Sequence, residues 1–373
     1  MNDWGAGVTE LASLFLIVLL VYLLQCICWA SPRAHVFTLG LRGRGRRRHH
    51  GFAWNALDTA GLVANPFPPL TPLVVAAWPQ FELTADAIQF PGKEGGPVSI
   101  AWEKLVVTHS ESKILCNGQV AFKGSGLQVC QYLELLKQLQ KARRGQRERI
   151  IQDWLRQTMS TQAASRRVKL FTGRSRWLRM IAIFQFVFLF LLVPLAFDRF
   201  GTRVLWQVVL LLIGISVAIV LEFWTLDRKM FPHAHRKDER FKSAVTIVLS
   251  PVAAIRACDI LTRDLLAGYH PVAAAGALLA GEEYQRFAAE RLRLCRFDDY
   301  LSKQYQAMLQ EQMERAIRQQ GIDLEELMRP PEIQIGCVVY CPRCLAQYTK
   351  ERADCSDCGH EGMSHLCAPD KSN

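Results

Sequence analysis

The apolar residues of this chain are gathered into three long blocks whose centres carry no charge. The blocks occupy residues 11–29, 178–197 and 204–224. About 20 apolar residues in a helix cross the hydrocarbon core of a bilayer, and shorter apolar runs are typical of soluble cores. The pattern therefore predicts three transmembrane helices. A buried helical hairpin is the alternative for the second and third blocks.

The stretch from residue 71 to 158 has the alternation of half-buried strands, followed by the period of a helix. Apolar side chains recur at every second position around Phe90 and Ile100, as in a strand with one buried face. Asn117–Gly118 lies between two short apolar runs, and this dipeptide favours a tight hairpin because both residues tolerate positive φ. From Leu127 onward the apolar positions follow the helical period.

These patterns predict a small antiparallel β unit of seven short strands, closed by one amphipathic helix, with Trp102 in its core. Leu73–Ala77 is the first predicted strand and Glu103–Val107 the fifth. The segments Phe81–Thr84 and Ile100–Leu105, with the closing helix, resemble the bacterial pleckstrin-homology-like domains of small membrane proteins. The resemblance covers under a quarter of the chain and implies a binding or assembly module without chemistry. Another β-rich domain with a C-terminal helix is the alternative.

Residues 225–328 are predicted to be helical throughout. Ser250–Pro251 is a helix start, since serine caps free amides and proline fits the first turn. Gly268 ends that helix, and Pro271 begins another that is predicted to run past Phe287. Apolar runs in this region, such as Ala244–Ala254, are flanked too closely by charge to span a bilayer. The region is expected to form a helical bundle or a juxtamembrane helical arm.

Much of the formal net charge of +11 lies beside the apolar blocks. Basic residues follow the first block, precede the second and follow the third, whereas the connector Asp198–Arg203 is short and mixes acid with base. Lys and Arg accumulate on the cytoplasmic side of membrane proteins. The chain is therefore predicted to lie in a plasma (bacterial inner) membrane, with its N-terminus outside and its soluble parts cytoplasmic. Asp3 and Glu10, rather than basic residues, precede the first block, which argues against a cleaved signal peptide.

Two cysteine pairs near the C-terminus form the one constellation in this sequence that predicts chemistry. Cys341-Pro-Arg-Cys344 and Cys355-Ser-Asp-Cys358 are ten residues apart. Gly359 follows the second pair, where a knuckle commonly needs a residue without a Cβ, and Tyr340 and Tyr348 are predicted to flank the knuckle as strand residues. Each pair folds as a knuckle that presents two thiolates, and two knuckles complete a tetrahedral site. The arrangement resembles a zinc ribbon and predicts one structural Zn²⁺ held by these four cysteines. Iron, as in rubredoxin, is the alternative, whereas two disulfides need an oxidising compartment that the predicted topology contradicts.

Other metal-binding side chains nearby are predicted to be bystanders, because four thiolates already close the site. Replacement of one cysteine ligand by His360 or Cys367 is the alternative. His233 and His235, just after the third block, have no carboxylate or cysteine at ligand spacing and are predicted to be interface histidines. The bystanders beside the ribbon are Cys337, His360, His365 and Cys367.

The chain as a whole is predicted to be a multi-domain membrane protein with three transmembrane helices, a β-rich cytoplasmic domain, a helical region and a zinc ribbon. The predicted division is an external segment 1–10, transmembrane helix 11–29, basic linker 30–70, β-rich domain 71–158, basic linker 159–177, transmembrane helices 178–197 and 204–224, helical region 225–328, and zinc ribbon with tail 329–373.

Motifs for catalysis are missing from the sequence. The chain lacks GxxxxGK[ST], GxGxxG after a predicted strand, GxSxG and HExxH, and a closed four-cysteine site leaves no position for water. We therefore predict no catalytic and no cofactor-binding residue. The expected function is that of a non-enzymatic, membrane-anchored cytoplasmic scaffold or sensor, with the bilayer, anionic lipid and partner proteins as its contacts.

Two functions from other classes are the alternatives. The first is an RNA- or ribosome-binding membrane protein, whose ribbon and basic strips would contact nucleic acid. The second is a small envelope-assembly or transport subunit, which would act through the paired second and third blocks. Gln185 and Gln207 lie within those blocks, where an amide can bond to a neighbouring helix.

Overall fold

The structure, a computed structural model, describes residues 12–13, 15–17, 19–24, 27–30, 34–39, 54–55, 61–64, 72–92, 96–110, 112–231, 237–250, 252–298 and 301–366. Its helices are α1 (Phe15–Leu24), α2 (Gly126–Lys141), α3 (Arg144–Thr158), α4 (Thr161–Arg174), α5 (Arg176–Val187), α6 (Val193–Phe200), α7 (Leu205–Met230), α8 (Lys237–Val248), α9 (Ala253–Arg263), α10 (Pro271–Leu278), α11 (Glu282–Arg296), α12 (Lys303–Arg318) and α13 (Leu324–Leu327).

The strands are short and form five small sheets within the described residues. They are β1 (Ile27–Ala30), β2 (His35–Thr38), β3 (Trp54–Asn55), β4 (Gly61–Ala64), β5 (Leu73–Ala76), β6 (Glu82–Leu83), β7 (Ala87–Pro91), β8 (Pro97–Ala101), β9 (Val107–Ser110), β10 (Lys113–Cys116), β11 (Gln119–Lys123), β12 (Val339–Tyr340), β13 (Gln347–Tyr348) and β14 (Ser364–His365).

Two helices are long and apolar enough to cross a membrane. They run over Arg176–Phe200 and Trp206–Met230, each of 25 residues, with a mean hydropathy of 2.6 and 2.4 in their most apolar windows. This confirms the second and third apolar blocks as long helices. The first of the two joins α5 to α6 through a π-helical turn at Phe188–Leu192, just before Pro194. Proline has no amide hydrogen and cannot continue a regular helical ladder, so a local widening at this point is expected.

The first apolar block is not one long helix. Helix α1 is described as far as Leu24, and residues 27–30 form β1, which pairs antiparallel with β4. The predicted helix over residues 11–29 was therefore too long at its C-terminal end, because residues 27–30 give their main-chain groups to a strand. Tyr22 is buried, and its ring lies 5.4 Å from that of Phe186 and 5.6 Å from that of Phe190. Helix α1 thus packs along the α5–α6 helix.

The predicted β unit of seven strands is found in part: six strands form two three-stranded antiparallel sheets followed by α2, whereas the predicted first strand, β5, lies in a separate sheet with β2 and β3. The strand orders of the two sheets are β6-β7-β8 and β11-β10-β9. The predicted hairpin is confirmed, since Asn117 and Gly118 join β10 to β11 with φ angles of 50° and 79°. The predicted fifth strand, Glu103–Val107, is wrong: Trp102–Lys104 is a 3-10 turn and β9 begins at Val107. The Asn117 side chain accepts a bond from the Val106 amide and donates one to the Lys104 carbonyl, and so occupies groups that a strand would offer to a neighbour.

Structured residues continue upstream of residue 71. Strand β5 pairs with β2, which lies in the predicted linker, so a boundary at 71 separates a strand from its partner. The ring of His35 on β2 lies 5.3 Å from that of Phe287 on α11. Burial, together with the nearby Arg291 guanidinium, lowers the pKa of His35 to about 3, and the imidazole is therefore neutral in the core. The basic run 42–50, residues 1–10, His233 and His235 lie outside the described residues.

The segment 159–177 is not a linker. It is mostly helix α4, which packs against α10 and α7. The Ser160 hydroxyl accepts a bond from the Ala163 amide and caps the helix. Residues Ala164, Val168 and Phe171 share one face by their spacing and are buried. The basic side chains lie between them in the sequence, and this helix was missed because the charge was taken as the main signal.

The helical character of 225–328 is confirmed for its described residues. The helix predicted to begin at Pro271 begins there, but it is two helices, because Gly281 separates α10 from α11 with a φ of 58°. One continuous cluster of buried side chains extends from Tyr22 to Ile317 and includes both β sheets around α2 and the packed faces of α4, α9 and α12. The β unit and the helical region therefore share one hydrophobic core.

Trp102 is the largest fully buried side chain among the described residues. It is 0% exposed, its indole nitrogen donates to the Thr84 carbonyl at 3.0 Å, and the Arg147 guanidinium lies 5.8 Å above the ring. Trp102→Ala should lower the free energy of unfolding by about 3–5 kcal/mol, the usual effect of removing a buried aromatic side chain. This decrease in the free energy of unfolding can be measured by unfolding the full-length protein in detergent with guanidinium chloride.

Val106→Ala is the matched control, because Val106 lies four residues away and is 62% exposed. Its effect should stay within about 0.5 kcal/mol, as for other surface changes. Equal destabilisation by the two substitutions would contradict the burial of Trp102.

Candidate metal centre

The C-terminal cysteines lie in two loops that have the same backbone pattern. In the first loop the Cys341 amide donates to the Ala346 carbonyl and the Leu345 amide donates to the Cys341 carbonyl. In the second, the Cys355 amide donates to the His360 carbonyl and the Gly359 amide to the Cys355 carbonyl. The first loop connects β12 to β13, and β14 lies on the other edge of β12. The chain therefore forms two equivalent knuckles on a small three-stranded sheet.

Each knuckle requires a residue with positive φ at the same position. Gly359 has a φ of 67° and Leu345 a φ of 64°. The sequence predicted the first of these, because glycine marks such positions. The leucine was missed, since this conformation costs an ordinary side chain about 1–2 kcal/mol and leucine gives no signal for it. The matching hydrogen bonds of the two loops show that Leu345 and Gly359 occupy equivalent positions.

The knuckles bring the four predicted sulfur atoms together. All four lie within 4.8 Å of one another. Cys341 Sγ is 3.6 Å from Cys358 Sγ, and Cys344 Sγ is 3.5 Å from Cys355 Sγ. A Zn–S bond of about 2.3 Å in a tetrahedron places neighbouring sulfurs about 3.8 Å apart. The observed separations are near that value, so the four residues fit one tetrahedral ion, and zinc suits the donor set.

The surroundings of Cys355 favour its thiolate. The Tyr348 hydroxyl lies 3.1 Å from Cys355 Sγ, and Ser356 Oγ donates to that hydroxyl at 3.2 Å. Burial of the thiol opposes ionisation, yet bonds from Tyr348 and from the amides of Cys358 and Asp357 lower the pKa of Cys355 to about 6. Thiolate is the form that binds metal. The predicted flanking residues Tyr340 and Tyr348 are strand residues, in β12 and β13.

The predicted bystanders that the structure describes lie outside the group of four cysteines. Among the described residues, the group that could hold an ion consists of the four cysteines and none of the predicted bystanders. His360 is buried, with its ring 5.5 Å from that of Phe297, and so attaches the ribbon to the end of α11. His365 is exposed on β14, with Nδ1 4.0 Å from a Glu351 carboxylate oxygen. Cys337 is half-buried, and Cys367 lies outside the described residues.

With an ion bound, this arrangement would supply structure rather than reaction chemistry. Four thiolates would fill a tetrahedral shell and leave no position for water or substrate. Val339, Cys341 and Cys355 are the ribbon's buried apolar side chains among those described, which is too little to stabilise a fold of this size alone. Metal ligation would therefore provide much of the ribbon's folding energy.

Cys344→Ser should abolish metal binding, because three thiolates and a hydroxyl no longer match the ion. Metal analysis of the purified full-length protein should give one zinc per chain for the native sequence and little for this variant. Binding should also weaken as pH falls, since protons compete for the thiolates.

Cys337→Ser is the matched control, because this cysteine precedes the first knuckle and is outside the group of four. It should keep its metal. Equal loss from both variants, or native protein with far less than one metal per chain, would contradict the assigned ligands.

Comparison with known proteins adds no family to this picture. The chain matches no protein-family model, no curated protein and no solved structure. The four-cysteine centre and the two apolar helices are accordingly the features from which function has to be inferred.

Proposed function

We propose that this chain is a non-enzymatic integral membrane protein that acts as a cytoplasmic scaffold or sensor and presents its zinc ribbon to a partner protein. One observation carries the membrane part of the proposal. In the most apolar 18-residue stretch of each long helix, only 28% (Arg176–Phe200) and 22% (Trp206–Met230) of the stretch is buried. A core helix of a soluble protein would be mostly covered, and such a large apolar surface needs lipid around it.

Helix α1 is proposed as a third membrane helix beside this pair. Its Phe15 ring lies 5.8 Å from that of Phe190, and Tyr22 lies against Phe186 and Phe190. Leu16, Leu20 and Leu24 on the same helix are apolar and exposed. The helix therefore follows α5–α6 with one face and turns its second face outward, as a lipid-facing helix would.

The proposed orientation follows the basic residues at the ends of the helical pair. Arg174 ends α4, Arg176 and Arg179 lie in the first turn of α5, and Arg228 and Lys229 lie near the end of α7. These are also the ends that lead into the shared core. Positive charge favours the cytoplasmic side, so we assign the core and the ribbon to the cytoplasm and the connector at 198–203 to the outside.

The ribbon is proposed as the partner-binding module. Ile335 is fully exposed, and Ile333 and Val338 are exposed beside it. Three neighbouring aliphatic side chains in water are favourable positions for a protein contact. The closed metal site fixes the adjacent backbone without offering chemistry, which suits a binding module better than an enzyme.

The pleckstrin-homology-like interpretation of the β unit is likewise a proposal. Two three-stranded sheets followed by α2 have the strand-then-helix order expected of such a module. Domains of that kind serve assembly, which agrees with a scaffold.

The proposed sidedness can be measured with single cysteines. Thr202→Cys should react with a membrane-impermeant maleimide in intact cells, whereas Ser372→Cys should react only after permeabilisation, because the two positions are assigned to opposite sides. Labelling of Ser372→Cys in sealed cells would overturn the orientation. Release of the protein from membranes at high pH would overturn membrane insertion itself.

The ribbon's role can be tested by photocrosslinking in cells. A benzophenone amino acid in place of Ile335 should give a discrete protein adduct, and Cys344→Ser in the same chain should remove the adduct while the protein stays in the membrane. The same probe in place of the exposed Val106 is the control position. An adduct that is sensitive to ribonuclease would favour the RNA-binding alternative, and the absence of any adduct at Ile335 would count against a ribbon partner.

A further inference from the structure

Helices α8 and α9 form a hairpin beside the two long apolar helices. Helix α8 packs against α7 and α9, and α9 packs against α5 and α7. The chain has no charged residue from Ser243 to Ile255, thirteen residues in all. An apolar run of about 10–14 residues is too short to span a bilayer and is typical of buried, interfacial or re-entrant segments.

The tip of the hairpin lies far along α7. Residues 248–250 line a cavity of about 240 Å³ together with Val209, Ile213 and Ser216 of α7. Ser216 precedes Trp224 by eight residues, and at 1.5 Å per residue this places it about 12 Å further along the helix. Trp224 is a natural marker of the inner interface, because indoles prefer that level.

A second contact, on α5, places the start of α9 at a similar depth from the inner ends of the long helices. Gln185 Oε1 accepts a hydrogen bond of 3.0 Å from the Ala254 amide at the start of α9, and the glutamine is 1% exposed. Gln185 follows Arg179 by six residues, which is about 9 Å along the helix. Arg179 donates to the Thr172 carbonyl at 2.9 Å and so lies at the helix base. The two contacts agree, and they place the turn about one third of the way into a hydrocarbon core of about 30 Å.

Three backbone amides at the turn have partners inside the protein. The Ser250 hydroxyl accepts a bond of 3.2 Å from the Val252 amide, and the Ser250 amide donates to the Ile247 carbonyl at 3.1 Å. The third is the Ala254 amide, which donates to Gln185. Irregular backbone at membrane depth is tolerated only where it is satisfied in this way.

The outer face of α8 is apolar and exposed. Phe241, Val245, Val248 and Leu249 follow the helical spacing, and Leu249 is 78% exposed. Charged groups flank the uncharged run on both sides. Arg240, paired with Asp227, and the exposed Lys242 precede it, and Arg256, 3.1 Å from Asp259, follows it in the first turn of α9. This face is continuous with the exposed apolar surface of α7 that the cavity adjoins.

We infer that α8 and the start of α9, described over residues 243–250 and 252–255, form a re-entrant hairpin that enters the bilayer from the cytoplasmic side, turns after Leu249 and contacts lipid acyl chains through the outer face of α8 and Leu249. This inference rests on the proposed membrane insertion of the two long helices. It assigns acyl chains as the occupant of the α8 face, because that face continues the lipid-facing surface of α7.

Photocrosslinking to lipid tests the inference. The full-length protein, with a benzophenone amino acid in place of Leu249, is reconstituted in phosphatidylethanolamine and phosphatidylglycerol vesicles, irradiated and analysed by mass spectrometry. Leu210 on α7, which is 66% exposed, is the control for a lipid-facing position. Ile335 on the ribbon, which is fully exposed, is the control for a position that faces water. Lipid adducts are expected at Leu249 and Leu210 in similar yield, and not at Ile335.

The controls separate two kinds of failure. Adducts at Leu210 without adducts at Leu249 would overturn the hairpin and leave the membrane helices intact. The absence of adducts at both positions would overturn membrane insertion and the hairpin with it. Crosslinks from Leu249 to another protein instead of lipid would also overturn the assigned occupant.

A pair of amide substitutions tests the depth contact. Gln185→Leu removes the acceptor of the Ala254 amide, and it should lower the yield of lipid adducts at Leu249 while leaving the yield at Leu210 unchanged. Gln207→Leu is the matched control, because Gln207 is exposed on α7, and it should change neither yield. Equal yields from Leu249 in both variants would contradict the role of Gln185; should Gln185→Leu fail to fold, the native-sequence comparison of Leu249 with Leu210 still decides the inference.

Discussion

The packing of α9 against α5 joins the long apolar helices to the hydrophobic core that the β unit and the helical region share. Helix α9 also contacts α7, α8 and β5, so it touches the long apolar helices, the hairpin and a sheet. Its Ala253, Ala254 and Ala257 side chains are fully buried. Small side chains let helix backbones approach closely where little other driving force exists. On α5 the buried residues Leu178, Ala182 and Gln185 follow the helical spacing and provide the complementary face.

Much of the remaining architecture depends on this contact. Strand β5 reaches α9 on one side and pairs with β2 on the other. The β unit is connected through α2 to the same cluster of buried side chains as the helices. The apolar helices are thus built into the core at one end and exposed for much of their length. In the proposed arrangement this would hold the soluble part rigidly against the bilayer, which suits a scaffold.

The ribbon is stabilised in a different way. None of its described residues belongs to the main buried cluster, and its contact with the rest includes the His360 ring against Phe297. Four thiol groups with separations of 3.5 and 3.6 Å across the two close pairs are arranged for an ion instead of an apolar core. In the proposed function, two sources of stability in one chain would allow the ribbon to respond to metal or to a partner while the core remains unchanged. That separation is what a sensor built on this chain would require.

Local spacing determined much of what could be predicted. The length of the second and third apolar blocks, the Asn117–Gly118 hairpin, the period of α2 and the four cysteine ligands each depend on residues close together in the sequence. Tertiary structure alone decided the partner of β5, the burial of one face of α4, the early end of α1 and the left-handed conformation of Leu345. It also set Gln185 against the Ala254 amide and left Gln207 exposed, although both amides lie in similar apolar surroundings in the sequence. The physical reason is that the spacing of apolar residues shows which face of a helix or strand is apolar. The element that covers this face is formed by residues far away along the chain, so local spacing does not identify it.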